Sequence, residues 1–183
     1  VTFADGLAPG HVIAGRYELV RLLGAGAMGA VWEARHLAMG SSVALKVLYG
    51  DAAADEGLRG RFEREARVVG SLSSPYVVKA FDFGLDHGVA FMVMEHLVGE
   101  DLGVRLRRVG RLPADDVVRI VGELCEGLAH AHGKGLVHRD LKPRNVFLAR
   151  VDDREMVKIL DFGIVKVNRL DATSRTRTGD VLG

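Results

Sequence analysis

The chain has 183 residues, 48% of them hydrophobic and 27% charged, and its 25 basic and 24 acidic side chains leave a formal net charge of +1. That balance fits a globular protein with a core of its own and gives no support to a nucleic-acid or polyanion binder. The single cysteine, Cys125, cannot form an internal disulfide, which points to a reducing cytoplasm.

No apolar run approaches the length of a membrane span, and the first fifteen residues lack the basic start and apolar core of a signal peptide. Cys125 lies among Leu124, Leu128 and Ala129 on a helical pattern, where a small buried hydrophobe is favoured over a nucleophile. The chain begins at Val1 and stops at "TGDVLG" with no closing helix or turn signal, the pattern expected of a fragment.

In chain order, residues 1–15 read as a loose leader. Three stretches of strand character follow, "YELVRLLGAG", "GAVWEARH" and "SVALKVLY", separated by glycine or serine. The period then changes: Leu58, Phe62, Val69 and Leu72 recur at helical spacing, which predicts a helix near 57–72. "PYVVKAFDFG" and "GVAFMVMEHL" read as two more strands joined by "LDH". After "GEDL" come a short helix and then a strongly amphipathic one in "RLPADDVVRIVGELCEGLAHAHGKG", with Pro113 near its first turn and Gly133 or Gly135 as its stop. Two short strands, "NVFLA" and "MVKIL", precede a polar tail from Asp161 onward. A strand-rich part followed by a helix-rich part predicts an α+β chain of two lobes, with the junction at Gly99.

Four stretches carry chemistry. Gly24, Gly26 and Gly29 form a G-x-G-x-x-G pattern, in which glycines let backbone N–H groups approach phosphates. A dinucleotide-binding loop needs a helix directly afterwards, but "AVWEARH" alternates like a strand, and no G-K-[S/T] follows. The glycines therefore cap a hairpin, either a plain turn or a lid over a nucleotide. In "VALKVL", Val43, Leu45 and Val47 point one way and Ala44, Lys46 and Leu48 the other, so Lys46 is a charge on an apolar strand. Glu65 fills the gap in the helical stripe and shares its inward face, where a carboxylate is costly unless a cation meets it. Two such misfits favour a Lys46–Glu65 pair over two side chains snorkelling separately.

The third stretch, "GLVHRDLKPRNVFL", sets His138, Arg139, Asp140, Lys142, Arg144 and Asn145 between apolar anchors. Asp161 then ends the strand "VKIL" in the fourth, "DFG". Two carboxylates, an amide and a lysine suit a divalent hard cation bound together with phosphates. The tripeptide "DFG" also occurs at 82–84, where it reads as a strand end and turn, so by itself it proves nothing.

The ordered set of glycine hairpin, "VALK", Glu65, "HRDLKPRN" and "DFG" resembles the eukaryotic-like (Hanks-type) protein kinase family. "GAGAMGAVWEARH" and "TRTGDVLG" look most like its bacterial Ser/Thr members, and the likeness covers about residues 15–183. It implies a bilobal kinase-like fold: an N-lobe over 16–98 with a five-stranded antiparallel sheet and the helix near 57–72, a partial C-lobe over 99–183, a catalytic loop at 136–148 and the start of an activation loop at 161–183.

By that resemblance Gly24–Gly29 cover the phosphates of ATP, and Lys46 contacts the α- and β-phosphates while paired with Glu65. Leu23, Val31 and Ala44 enclose the adenine from above and Phe147 from below. Met94 takes the gatekeeper position, and Glu95 and Leu97 offer hinge backbone groups. Asp140 orients the substrate hydroxyl and receives its proton, Lys142 steadies the γ-phosphate, and Asn145 and Asp161 hold Mg²⁺. His138 becomes a packing residue beside Phe162, and His130 and His132 a helix end rather than a metal site.

The resemblance further implies protein Ser/Thr substrates and activation through Thr176 or Thr178, whose phosphate would pair with Arg139. It allows a dimer for trans-autophosphorylation and, beyond residue 183, a membrane anchor on a cytoplasmic kinase. The family continues past "VLG" into further helices. Without them part of the stripe Val117–Ile120–Val121–Leu124–Leu128 is expected to lie open to water, leaving residues 1–183 poorly soluble and weakly active. A truncated nucleotide-binding or interaction module without phosphotransfer is the alternative. A pseudokinase is disfavoured because Lys46, Asp140 and Asp161 are all present.

Overall fold

The structure, a computed structural model, describes residues 6–26, 29–48 and 56–162, without the side chains of Leu58, Arg61 and Glu65. The first lobe is one sheet of β1 (Val12–Ile13), β2 (Tyr17–Gly26), β3 (Gly29–His36), β4 (Ser42–Leu48), β5 (Ala80–Asp86) and β6 (Val89–Glu95), with α1 (Glu56–Ser71) lying between β4 and β5 in the chain. Its spatial order is β1-β2-β3-β4-β6-β5, and every neighbouring pair is antiparallel.

Two-residue alternation divides this sheet between two cores. On β4, Val43, Leu45 and Val47 enter one cluster, while Ala44 and Leu48 enter the other. On β6, Phe91 and Val93 join the first, and Ala90, Met92 and Met94 the second. The first cluster also takes in Leu7, which precedes β1, together with Ile13, Tyr17 and Trp32. The second takes in Phe62, Ala66 and Val69 of α1 and runs on without a break to Leu148, Ile159 and Phe162 of the second lobe. Each large side chain buried this way, such as Phe62 at 1% exposure, contributes about 2–3 kcal/mol.

The second lobe holds an antiparallel sheet of β7 (Gly99–Asp101), β8 (Val146–Val151) and β9 (Arg154–Ile159), with α2 (Leu102–Val109), α3 (Ala114–Gly133) and a 3₁₀ turn at Pro143–Asn145. Asp101 caps α2 by accepting a hydrogen bond from the Val104 N–H at 2.9 Å, and Gly110 ends it at φ 76°. Pro113 precedes α3, Asp115 and Asp116 occupy its first turn, where the helix dipole favours negative charge, and His130 and His132 lie in its last. Gly127 lets α3 press onto β9, for a Cβ there would lie 2.6 Å from Ile159 Cδ1.

The lobes are also stitched by main chain. Val77 bridges Ile159 in parallel fashion, with Ile159 N–H donating to Tyr76 O at 2.7 Å and Val78 N–H to Ile159 O at 3.0 Å.

Several expectations need correction. Among the described residues the sheet has six strands, because residues 7–15 are no loose leader: Leu7 and Ile13 are buried and β1 pairs with β2. A two-residue strand is too short to leave a period. Asp82-Phe83-Gly84 lies inside β5 rather than at its end, and the hairpin turns at His87 (φ 46°) and Gly88 (φ 84°). Cys125 is exposed. The buried line of α3 runs through Ile120, Gly127 and Ala131, with Leu124 and Leu128 against the core, and Cys125 falls off it. Val117, Val118 and Val121 of α3 are exposed, so part of the predicted stripe does face water. No helix among the described residues is long and apolar enough to cross a membrane.

Candidate active site

A cavity of about 250 Å³ lies where the lobes meet, lined by Leu23, Gly24, Val31, Ala44, Met94, Glu95, Leu97, Phe147 and Asp161 together with Val78, Asp101, Arg144 and Leu160. The first nine were all expected from the sequence to surround a nucleotide. β2 and β3 roof it with Leu23, Gly24 and Val31, and Ala44 of β4 adds a small side chain. Met94 and Glu95 end β6, and Phe147 rises from β8 below.

Gly26 and Gly29 pair across the tip of the β2–β3 hairpin and do not line the cavity. Their needs differ. A Cβ on Gly24 or Gly26 would meet nothing within 4 Å, whereas one on Gly29 would sit 2.0 Å from the Val47 carbonyl oxygen. Gly29 is thus required by the close approach of β4, a packing role that the motif alone does not disclose.

Lys46 leaves β4 toward the cavity and its Nζ donates to Asp161 Oδ1 at 2.7 Å. The predicted partner Glu65 is on α1, but its side chain lies outside the described residues. Asp161 itself follows β9 with φ 46°, in the left-handed region that a non-glycine residue adopts at a cost.

The loop between α3 and β8 is organised by side-chain hydrogen bonds. Lys142 Nζ donates to Asp140 Oδ2 at 2.7 Å. Asn145 Nδ2 donates to the Asp140 carbonyl at 2.8 Å and reaches Oδ2 at 3.3 Å. Leu160 N–H donates to Asn145 O at 2.9 Å, which brings Asn145 alongside the residue that precedes Asp161. His138 is 3% exposed; its Nε2 is 2.8 Å from Leu160 O, and its ring meets that of Phe162 at 4.9 Å between centroids. Burial, that hydrogen bond and the ring contact make it a packing residue. Arg139 is exposed, with φ 60°. Thr176 and Thr178 lie outside the described residues.

The residues fit a divalent cation with phosphates better than a closed protein cage. No group of three or more His, Cys, Asp or Glu gathers among the described residues. The hard-oxygen donors near the cavity floor are Asp161, whose side chain is 48% exposed, and the neighbouring Asn145 amide. One carboxylate plus an amide, completed by phosphate and water, is how Mg²⁺ is commonly held.

Sequence reasoning missed Val78, Asp101, Arg144 and Leu160 as lining residues. Arg144 stood in a stretch already singled out, and Asp101 carried a helix-cap signal ("GEDL"). Val78 and Leu160 had no signal beyond being apolar.

Beside the cavity, α2 carries an ion-pair network. Arg105 binds Glu100 and, at 2.6 Å, Glu155, while Arg108 meets Glu100 at 2.5 Å. Hydrogen bonds from Arg108 and then Arg105 hold the Glu100 carboxyl below its ordinary range.

Comparison with known proteins agrees with this geometry. The family model described as "Protein kinase domain" matches residues 17–181. The chain is 41% identical over 179 residues to serine/threonine-protein kinase pkn2 of Myxococcus xanthus, covering 97% of this chain and 21% of that protein. It is 38% identical to serine/threonine-protein kinase PknA of Mycobacterium tuberculosis, covering 95% of this chain and 40% of that one. The chain thus spans between a fifth and two fifths of the length of these curated relatives. The crystal structure of the M. tuberculosis PknI kinase domain superposes with a TM-score of 0.76 at 35% identity, covering 96% of this chain and 68% of that one. With a roofed cavity between two lobes, a Lys46–Asp161 pair across it and a family match over most of its length, the chain belongs to the protein kinase domain family.

Proposed function

We propose that this chain carries the nucleotide site and catalytic loop of a serine/threonine protein kinase, which moves the γ-phosphoryl group of ATP to a protein hydroxyl. The observation that supports this most is the joining of Asp140, Lys142 and Asn145 in one hydrogen-bonded loop, tied through Leu160 to the Asp161–Lys46 pair.

In this reading the adenine lies between Leu23, Val31 and Ala44 above and Phe147 below, against Met94 and the backbone of Glu95 and Leu97. Lys46 binds the α- and β-phosphates, paired with Glu65, and the backbone of Gly24, Gly26 and Gly29 covers the phosphates. Asp140 accepts a hydrogen bond from the acceptor hydroxyl and takes its proton as the oxygen bonds to the γ-phosphorus. The bond to the β-phosphate oxygen breaks and ADP leaves. Lys142 offsets charge on the transferring group. Asn145 and Asp161 would hold Mg²⁺, which when bound neutralises phosphate charge. Phosphate on Thr176 or Thr178 would pair with Arg139 and order the segment between. The protein would act in the cytoplasm, with a second copy as one of its substrates.

The test is transfer of phosphate from ATP to a Ser/Thr peptide by the full-length protein. Asp140→Asn should lower kcat by at least about a hundredfold, as loss of a positioned base does, while Mg-ATP binding by calorimetry persists. Wild-type protein that binds Mg-ATP and transfers nothing would instead support a nucleotide-binding module.

A further inference from the structure

We propose that Glu33 and His96 are positioning residues for the nucleotide, forming a latch between the roof of the cavity and the hinge that a proton on His96 tightens. The inference rests on the kinase reading and adds a control on how that site holds ATP.

The contact stands among residues that line the cavity. His96 lies between Glu95 and Leu97, which both line it. Glu33 follows Val31 by two residues on β3 and shares its face, while Ala30, Trp32 and Ala34 turn to the other core. Across the sheet Glu33 is paired with Ala44, another lining residue. From these two positions Glu33 Oε2 and His96 Nε2 approach to 3.9 Å.

The charges around this contact are few. Arg21 of β2 binds the same Glu33 oxygen through Nε at 2.6 Å, and Ser42 of β4 donates to Oε1 at 3.1 Å. Arg21 is exposed, and it is the group that opposes a second cation. Further along that face Arg35 meets Glu18 at 2.5 Å. Glu95, the acid next to His96 in the chain, is turned to Lys158 and to the Lys79 N–H. Among the described residues the His96 ring makes no hydrogen bond.

A neutral imidazole at that separation is out of hydrogen-bond reach, whereas an imidazolium is a cation facing a carboxylate. The two side chains are 15% and 19% exposed, so water and salt screen the pair less than at an open surface. Shortening it to a charged hydrogen bond draws His96 and β3 together by about 1 Å. Val31 moves with β3 and Leu97 with the hinge, so the cavity closes on a ring held between them. Linkage makes the effect reciprocal: nucleotide that favours the closed cavity also favours the proton.

The experiment is calorimetry of Mg-ATP binding to the full-length protein between about pH 8 and pH 6, in buffers of different ionisation enthalpy. Wild type is compared with His96→Gln and Glu33→Gln, each checked for an unchanged melting temperature, and the comparison cancels the titration of the nucleotide's own phosphates. Toward the acid end the wild-type affinity should rise about three- to fivefold relative to either variant, with an additional fraction of a proton taken up on binding. In the transfer assay the same ratio should appear in the KM for ATP, while kcat stays within about twofold of wild type. An equal pH dependence in wild type and His96→Gln overturns the proposal, as does a Glu33→Gln protein that keeps the wild-type dependence. If one variant fails to fold, the other decides, and a wild type that takes up no proton on binding also sinks the latch. Binding without transfer to any protein hydroxyl counts against the kinase reading instead, and the calorimetry still decides this one.

Discussion

Lys158 and Glu95 make a sharp test of how the lobes are held. Lys158, on β9, is 8% exposed, and its Nζ donates to Glu95 Oε1 at 2.7 Å. The same oxygen accepts the Lys79 N–H at 2.9 Å. Lys158→Met keeps the apolar stem but leaves the carboxylate at the end of β6 with the Lys79 amide alone. Breaking a fully buried pair costs about 3–5 kcal/mol. The Glu95 side chain is 24% exposed, so water offsets part of this, and about 2–3 kcal/mol is expected. Glu95→Gln, which strands the lysine, should cost a similar amount. The double variant Lys158→Met/Glu95→Gln retains the Lys79 bond through the amide oxygen and buries no uncompensated charge. It should fall within about 1 kcal/mol of wild type, a coupling of several kcal/mol. Urea unfolding followed by circular dichroism, with unchanged m-values, measures all four corners. If the two single costs simply add to within about 0.5 kcal/mol, the pair is not acting as a compensated charge and the reasoning fails.

Three further outcomes follow from the same geometry. Gly29→Ala, which forces a Cβ to 2.0 Å from the Val47 carbonyl oxygen, should lower stability by about 2 kcal/mol or more, whereas Gly24→Ala, with nothing within 4 Å, should cost well under half that in the same melts. Glu100, held below its ordinary range by Arg108 and Arg105, contributes stability that is present above the unfolded-state value and lost as pH falls through the folded one. Acid unfolding of Glu100→Gln should therefore be shallower than wild type below about pH 4. The Tyr17 hydroxyl is raised by burial and by its hydrogen bond to Asp82. Ultraviolet absorbance should show it ionising above the ordinary tyrosine range, and Asp82→Asn should bring it down.

What could be read from the sequence was local. The alternation of β4 set Val43, Leu45 and Val47 on one side and Ala44, Lys46 and Leu48 on the other, and the two sides face different cores, because a strand has one period and no freedom within it. The polar run 138–145 stood out because so many polar groups between apolar anchors have few local explanations, and Asp140, Lys142 and Asn145 are indeed hydrogen-bonded together. What escaped was set by long-range approach. The phase of α3 depends on where β9 touches it, so the choice between Cys125 and Gly127 could not be made from the helix's own pattern. The strand at Val12–Ile13 exists only because β2 is there to receive it. The pairing of Lys46 with Asp161 joins residues 115 apart in the chain, which no window of sequence contains.

The seam between Val77 and Ile159 joins amide groups across the lobes, and the side chains of Val77, Val78 and Ile159 are buried in the core that both lobes share. Residues 77, 78 and 159 are therefore held twice over, by a shared apolar core that penalises a polar replacement and by a main-chain pairing from which proline would delete a donor at Val78 or Ile159. Chain order and structural allegiance part company here. A split of the molecule after Val98, where composition suggests it, would leave the upper piece holding an edge that belongs to the lower.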